Sequence, residues 1–188
     1  MKDRPHGDEM LIYTEDGKER CSGTRVIIVN GPMGVGKTIV GKLIAEKVPG
    51  TAFIDGDWCM DIHPFIGNRE TKEMAADNIL HMIGNYNRCS ACGMVVLVWL
   101  MDDARVLKII LDGISEMGLQ AKVFTLVCDE NELVKRWEND RTCEWRTDEW
   151  LDVSLRSLPY FQADMDAFDT TGRSPASIAD AVIRETLR

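Results

Sequence analysis

The chain has 188 residues, of which 45% are hydrophobic and 28% charged, a balance that predicts one globular domain and excludes an intrinsically disordered chain. Its formal charge of −9, from 31 acidic and 22 basic residues, disfavours a nucleic-acid polymer or an anionic membrane as partner, because phosphate contacts require clustered lysine and arginine. The sequence shows neither a signal peptide nor the run of about 20 apolar residues that spans a membrane, so we expect a cytoplasmic protein, either a monomer or a weak homodimer.

Charged residues without periodicity occupy positions 1–24, and we expect an N-terminal extension there, followed by one domain over 25–188. Apolar runs then alternate with amphipathic segments. Strands are predicted at 26–29, 51–54, 94–100, 121–127 and 167–170, and helices at 37–48, 69–86, 103–117, from 129, over 148–158 and from 174. The helical pattern places Ile39, Met74 and Ile109 on inner faces, and Pro159 is expected to end its helix. This alternation predicts a three-layer α/β/α fold with a parallel sheet and a ligand site at the carboxyl ends of the strands.

A glycine-rich turn follows the first predicted strand of the domain. Residues 31–38 read GPMGVGKT, which satisfies G-x-x-x-x-G-K-[ST], and an amphipathic helix follows. Backbone amides of such a loop surround phosphate oxygens, the lysine reaches the β- and γ-phosphates, and the threonine hydroxyl ligates Mg²⁺. We therefore predict binding of ATP with Mg²⁺, and the predicted contacts are Gly31, Met33, Gly34, Val35, Gly36, Lys37, Thr38 and Ile39.

Two acids, Asp55 and Asp57, follow the second predicted strand of the domain. Carboxylates at that position can hold a metal-bound water and accept the proton of an acceptor hydroxyl, although Asp and Gly also favour plain turns. The sequence leaves open which of the two acids is the base; Asp55 is also the predicted metal partner of Thr38. Asp102 and Asp103 fit a Walker B end or, equally well, the cap of the next helix.

Four segments in order, GPMGVGKT, FIDGD, LVCDENELVKRWENDR and DTTGRSP, resemble the shikimate kinase and gluconate kinase branch of the nucleoside-monophosphate-kinase-like P-loop fold. The resemblance covers nearly all of the chain from Arg25 onward and implies five parallel strands with the phosphate-loop strand inside the sheet. It implies that Arg136 packs on adenine, and that Arg141 belongs to a lid over 138–147 and approaches the transferred phosphate. Arg146 is a second lid candidate, and the resemblance places Gly172, Arg173 and Pro175 near the adenine.

The acceptor side departs from both kinases, so neither substrate is carried over. Trp58, His63, Phe65 and Asn68 are candidate acceptor contacts, with buried aromatics and helix caps as the equal alternative. We therefore expect an ATP-dependent small-molecule kinase with Lys37, Asp55, Asp57 and Arg141 as catalytic residues. The alternatives are a regulatory module that hydrolyses ATP slowly and binds a protein partner, and an ATPase fragment, which the short chain disfavours.

The six cysteines do not form an evident disulfide framework, and reduced thiols are expected in the cytoplasm. Cys89 and Cys92 have the spacing of half a zinc site, for which His63 or His81 would be a further ligand. Because structural zinc sites usually have four ligands and no second CxxC occurs, two unligated thiols are the favoured interpretation.

Overall fold

A computed structural model describes residues 12–13, 19–20, 24–140 and 146–187. The strands are β1 (Ile12–Tyr13), β2 (Glu19–Arg20), β3 (Arg25–Asn30), β4 (Thr51–Asp55), β5 (Met94–Val98), β6 (Ala121–Val127) and β7 (Phe168–Asp169). The helices are α1 (Lys37–Lys47), α2 (Arg69–Asn87), α3 (Ala104–Glu116), α4 (Glu130–Asn139), α5 (Asp148–Gln162) and α6 (Pro175–Thr186), with a 3₁₀ turn at Gly56–Met60. No helix among these described residues has both the length and the apolar character to cross a membrane.

Strands β3 to β7 form one parallel sheet in the order β4-β5-β3-β6-β7. Strands β1 and β2 form a separate antiparallel pair. The predicted parallel sheet is confirmed, with β3 in its centre. Side chains of β3 alternate between two apolar layers. Ile27 and Val29 face α1, α5 and α6, whereas Val26 and Ile28 face α2 and α3. Burial on both faces explains why the central strands read as continuous apolar runs.

The prediction that three side chains lie on the inner faces of their helices is wrong. Ile39, Met74 and Ile109 are 51%, 38% and 38% exposed, since each lies at the edge of its helix's apolar stripe. The expected end of α5 at Pro159 is also wrong: the helix continues to Gln162. Leu158 and Phe161, both fully buried, hold the helix against the core on either side of the proline.

Candidate functional site

The turn after β3 wraps around the amino terminus of α1. Gly36 caps α1 with φ of 107°, in the left-handed region that glycine tolerates best. Gly31 also has positive φ, and a Cβ there would lie 2.3 Å from the carbonyl oxygen of Leu126. These two positions explain why the loop needs glycine: one for backbone conformation, the other for close approach to β6.

The loop is held from below by side chains of two later helices. The Ser154 hydroxyl on α5, which is fully buried, donates a hydrogen bond to the Met33 carbonyl at 2.7 Å. The fully buried Trp137 of α4 packs under Gly34, where an added Cβ would lie 2.9 Å from the indole ring. The loop's shape therefore depends on residues more than 100 positions away, and no local sequence signal reveals Ser154 as one of its supports.

Lys37 points back into its own loop. Its Nζ donates hydrogen bonds to the carbonyl oxygens of Gly31 and Pro32, both at 2.8 Å. Burial lowers the pKa of Lys37 to about 8; the carboxylates of Asp57 and Asp55 oppose this shift, and the positive charge of Arg146 adds to it. The Lys37 ammonium therefore lies against the loop and loses its proton more easily than the ammonium of an exposed lysine does.

Asp55 and Asp57 lie at the end of β4, two strands away from β3, and face the amino terminus of α1. The Thr38 hydroxyl donates to Asp55 Oδ2 at 3.4 Å, and the Asp57 amide donates to Asp55 Oδ1 at 3.2 Å. Burial raises the pKa of Asp55, and the charge of Asp57 raises it further, while these two hydrogen bonds oppose the shift. A hydroxyl and a carboxylate side by side suit Mg²⁺, which prefers oxygen ligands.

These elements surround one cavity of about 900 Å³. It brings together most of the predicted site residues: Met33, Gly34, Val35, Gly36, Lys37, Thr38, Ile39, Asp55, Asp57, Arg136, Arg173 and Pro175. Gly31 and Gly172 do not line it. Gly31 is buried against β6, and Gly172, with φ of 67°, shapes the turn before α6. Arg141 lies outside the described residues.

Arg136 forms more hydrogen bonds to other residues of the protein than stacking on a base would require. Its guanidinium donates to Glu132 Oε1 at 2.8 Å, to the Val35 carbonyl at 2.8 Å, and to the Thr170 carbonyl and hydroxyl at 2.7 and 2.9 Å. The side chain therefore ties the phosphate loop to the end of β7. Arg173 lies over the Phe168 ring at 4.7 Å, and both Arg173 and Pro175 line the cavity.

Of the two arginines predicted for the lid, the structure describes Arg146. It lines the cavity, its side chain is only 12% exposed, and it pairs with Asp140 at 2.6 Å. Its guanidinium also lies over the Trp137 ring at 5.0 Å. The Asp140–Arg146 pair connects the carboxyl end of α4 with the residues that lead into α5.

The other acidic pair has structural partners. Asp103 caps α3 by accepting from the Arg105 amide at 2.9 Å, and Asp102 pairs with Lys72 at 3.0 Å. Hydrogen bonds from Arg105 lower the pKa of Asp103 to about 2. Neither acid lines the cavity, so the capping interpretation replaces the Walker B one.

A second cavity of about 690 Å³ adjoins the first and shares Thr38, Lys42, Asp55 and Trp58 with it. Of the four candidate acceptor contacts, only Trp58 lines either cavity. Asn68 instead caps α2 in reciprocal hydrogen bonds with Thr71, both at 3.0 Å. The other two lie on the exposed surface, where Phe65 is 63% accessible and the His63 imidazole lies 3.2 Å from Asp61.

The cysteines have no metal partners in the described part of the chain, where no group of three or more His, Cys, Asp or Glu side chains is placed to hold an ion. Cys92 Sγ donates to the Met94 carbonyl at 3.2 Å, and its amide closes a turn on the Cys89 carbonyl. Cys143 lies outside the described residues.

The central parallel sheet with a glycine loop at the carboxyl end of β3 defines a P-loop protein of the nucleotide-kinase-like fold. A protein family described as "AAA domain" matches residues 27–154, and the chain belongs to this family. A comparison with curated proteins finds no match.

Three solved structures show the same fold. A tunicamycin resistance protein of Deinococcus radiodurans is 18% identical with a TM-score of 0.65, covering 86% of this chain and 95% of that one. A gluconokinase of Sinorhizobium meliloti is 18% identical with a TM-score of 0.64, covering 89% and 95%. A shikimate kinase of Acinetobacter baumannii is 17% identical with a TM-score of 0.55, covering 87% and 93%. The resemblance inferred from the sequence is confirmed at the level of the fold.

Proposed function

We propose that the protein transfers the γ-phosphoryl group of ATP to a hydroxyl of a small molecule. The observation that carries this proposal is the position of Asp55 and Asp57: both line the cavity that the phosphate loop lines, and a second cavity opens beside them. Similarity in fold to a gluconokinase and a shikimate kinase agrees with it. A protein that only bound or hydrolysed the nucleotide would not need an adjoining cavity for an acceptor.

In the proposed reaction the acceptor oxygen forms a bond to the γ-phosphorus while the bond from that phosphorus to the β–γ bridging oxygen breaks. The electron pair of the broken bond stays on ADP, and the proton of the acceptor hydroxyl passes to a carboxylate. We assign that role to Asp57, because Asp55 is already engaged with Thr38 at 3.4 Å. Proton acceptance by a placed carboxylate contributes about 100- to 10,000-fold in rate.

Thr38 and Asp55 would hold Mg²⁺, which supplies charge neutralisation for the triphosphate when bound. Lys37 would exchange its two loop carbonyls for phosphate oxygens. Arg146 would neutralise the charge that spreads over the γ-phosphoryl oxygens, a role that the sequence resemblance gave first to Arg141. Arg136, tied by its hydrogen bonds to the loop and to β7, and Arg173 would flank the base.

The test is a screen of hydroxylated metabolites for ATP-dependent phosphorylation, read by mass spectrometry, followed by kinetics of variants. We expect Lys37→Ala to abolish transfer and Asp57→Asn to lower kcat about 100-fold or more while the Kd for ATP changes little. Asp61→Asn is the matched control, because Asp61 follows on the same loop but lines neither cavity.

Full transfer activity in both Asp55→Asn and Asp57→Asn would refute the proposed mechanism. ATP turnover that no metabolite stimulates would favour the regulatory alternative.

A further inference from the structure

Strand β5 lies in the sheet between β3, which leads into the phosphate loop, and β4, which leads into the two acids. The parallel register places Val98, the last residue of β5, beside Val29 on one side and beside Asp55 on the other. The next residue, Trp99, therefore lies between the start of the phosphate loop and the turn 55–57. Trp99 is buried, with only 3% of the residue exposed, and it lines the same cavity as the loop.

Hydrogen bonds attach the segment 99–101 to the end of β3. The Trp99 amide donates to the Val29 carbonyl at 3.2 Å. The Asn30 side chain accepts from the Met101 amide at 2.9 Å and donates to the Met101 carbonyl at 3.2 Å. Asn30 and Met101 are both buried, so water does not compete for these bonds. The backbone that carries the indole is therefore held by the two residues that immediately precede the phosphate loop.

The indole of Trp99 packs against Gly56, the residue between the two acids. A Cβ at Gly56 would lie 2.2 Å from Cγ of Trp99 and 2.7 Å from its Cβ, an atom that moves only with the backbone. Glycine is thus required at this position by space, since its φ lies outside the left-handed region. The Asp57 amide donates to Asp55 Oδ1 at 3.2 Å across this glycine. The position of the ring therefore restricts where both carboxylates can lie.

Trp99 thus contacts both parts of the proposed site. Its backbone is bonded to the strand that leads into the phosphate loop, and its ring supports the turn that carries the carboxylates. Phosphoryl transfer requires the reacting atoms to lie about 3–3.5 Å apart, and a displacement of about 1 Å can lower the rate about 100-fold. Because one side chain contacts both parts, its size affects how far apart they lie.

We propose that Trp99 is a positioning residue for phosphoryl transfer, which sets the distance from the carboxylates of Asp55 and Asp57 to the phosphates bound in the loop. This inference rests on the proposed function and deepens it. Trp99 carries no charge and transfers no proton, and it acts through the turn 55–57. We therefore expect its replacement to lower kcat rather than to weaken the binding of ATP.

The test measures the transfer of labelled phosphate from ATP to the hydroxylated metabolite that is phosphorylated fastest in the screen above, and the Kd for Mg·ATP by calorimetry. Trp99→Leu, which removes the ring but stays apolar, should lower kcat about 10- to 100-fold and change the Kd less than about 2-fold. Trp99→Phe, which keeps a smaller ring, should lower kcat about 3- to 10-fold, and it carries the test if Trp99→Leu does not fold.

A pair of substitutions tests the contact itself. Gly56→Ala should lower kcat about 100-fold in the wild-type background, because the new Cβ displaces the turn. In the Trp99→Leu background the same substitution should lower kcat only about 2- to 3-fold further, because the ring is gone. Equal losses in the two backgrounds would show that the ring does not position the turn.

The control is Ile114→Ala, since Ile114 is buried in the same apolar layer as Trp99 but lines neither cavity. This substitution should lower the resistance to urea as Trp99→Leu does, while leaving kcat unchanged. An unchanged kcat in Trp99→Leu and Trp99→Phe, or an equal loss in Ile114→Ala, would overturn the inference and leave the kinase proposal intact. If no metabolite were phosphorylated although Mg·ATP binds, the proposed function would fail, and the inference would fail with it.

Discussion

The pH dependence of ATP binding tests the electrostatics of the phosphate loop. Lys37 contributes its charge to the phosphates only when protonated, and its pKa in the ligand-free protein is lowered to about 8. Bound phosphate favours the charged form and raises that pKa, so binding takes up a proton once the pH exceeds 8. The affinity for ATP is therefore expected to fall as the pH rises from 7 through 8.

The size of the effect follows from the protonated fraction of Lys37. With a pKa of about 8, roughly 3% of the ligand-free protein carries this proton at pH 9.5, which predicts an ATP Kd about 30-fold higher than at pH 7. That ratio corresponds to about 2 kcal/mol. The phosphates themselves contribute little over this range, because their last ionisation lies near pH 6.

Isothermal titration calorimetry of Mg·ATP without acceptor, repeated in buffers of different ionisation enthalpy, measures both the Kd and the proton uptake. Lys37→Arg is the matched control, since arginine stays charged throughout and its binding profile should be flat. A flat wild-type profile with no proton uptake would show that Lys37 is not the titrating contact. A parallel fall in the wild type and in Lys37→Arg would assign the effect to another group.

Two further predictions concern stability, each measured by urea unfolding. Arg136→Met removes four hydrogen bonds that join the phosphate loop, α4 and the end of β7, and should lower the free energy of unfolding by about 3 kcal/mol. As a control, Arg69→Met at an exposed position should change the free energy of unfolding by less than about 0.5 kcal/mol. Equal effects of the two substitutions would contradict the structural role of Arg136. Gly41→Ala places a Cβ 2.4 Å from buried Val98 and should destabilise by about 1–3 kcal/mol, whereas Gly84→Ala, with no foreign atom closer than 3.5 Å, should stabilise by about 0.5–1 kcal/mol. The same sign for both glycines would refute the packing argument.

The function of the phosphate loop was predictable because it depends on residues that are neighbours in the sequence. The residues GPMGVGKT and the flanking strand and helix fix the conformation of the loop. Gly36 is required by its positive φ, and Gly31 by its positive φ and by the close approach of the Leu126 carbonyl. The parallel sheet was predictable for a similar reason: strands buried on both faces read as unbroken apolar runs. Pro159 was misread because local propensity ignores the burial of Leu158 and Phe161 beside it.

By itself the sequence determined the order of the elements, the phosphate loop and the pair Asp55 and Asp57, because period, glycine and short spacing are properties of neighbouring residues. Only the tertiary structure decided that Asp55 faces Thr38, that Ser154 supports the loop and that Lys42 borders both cavities. Those relations join residues from separate helices and strands. They exist only once the sheet has twisted and the helices have packed on its two faces.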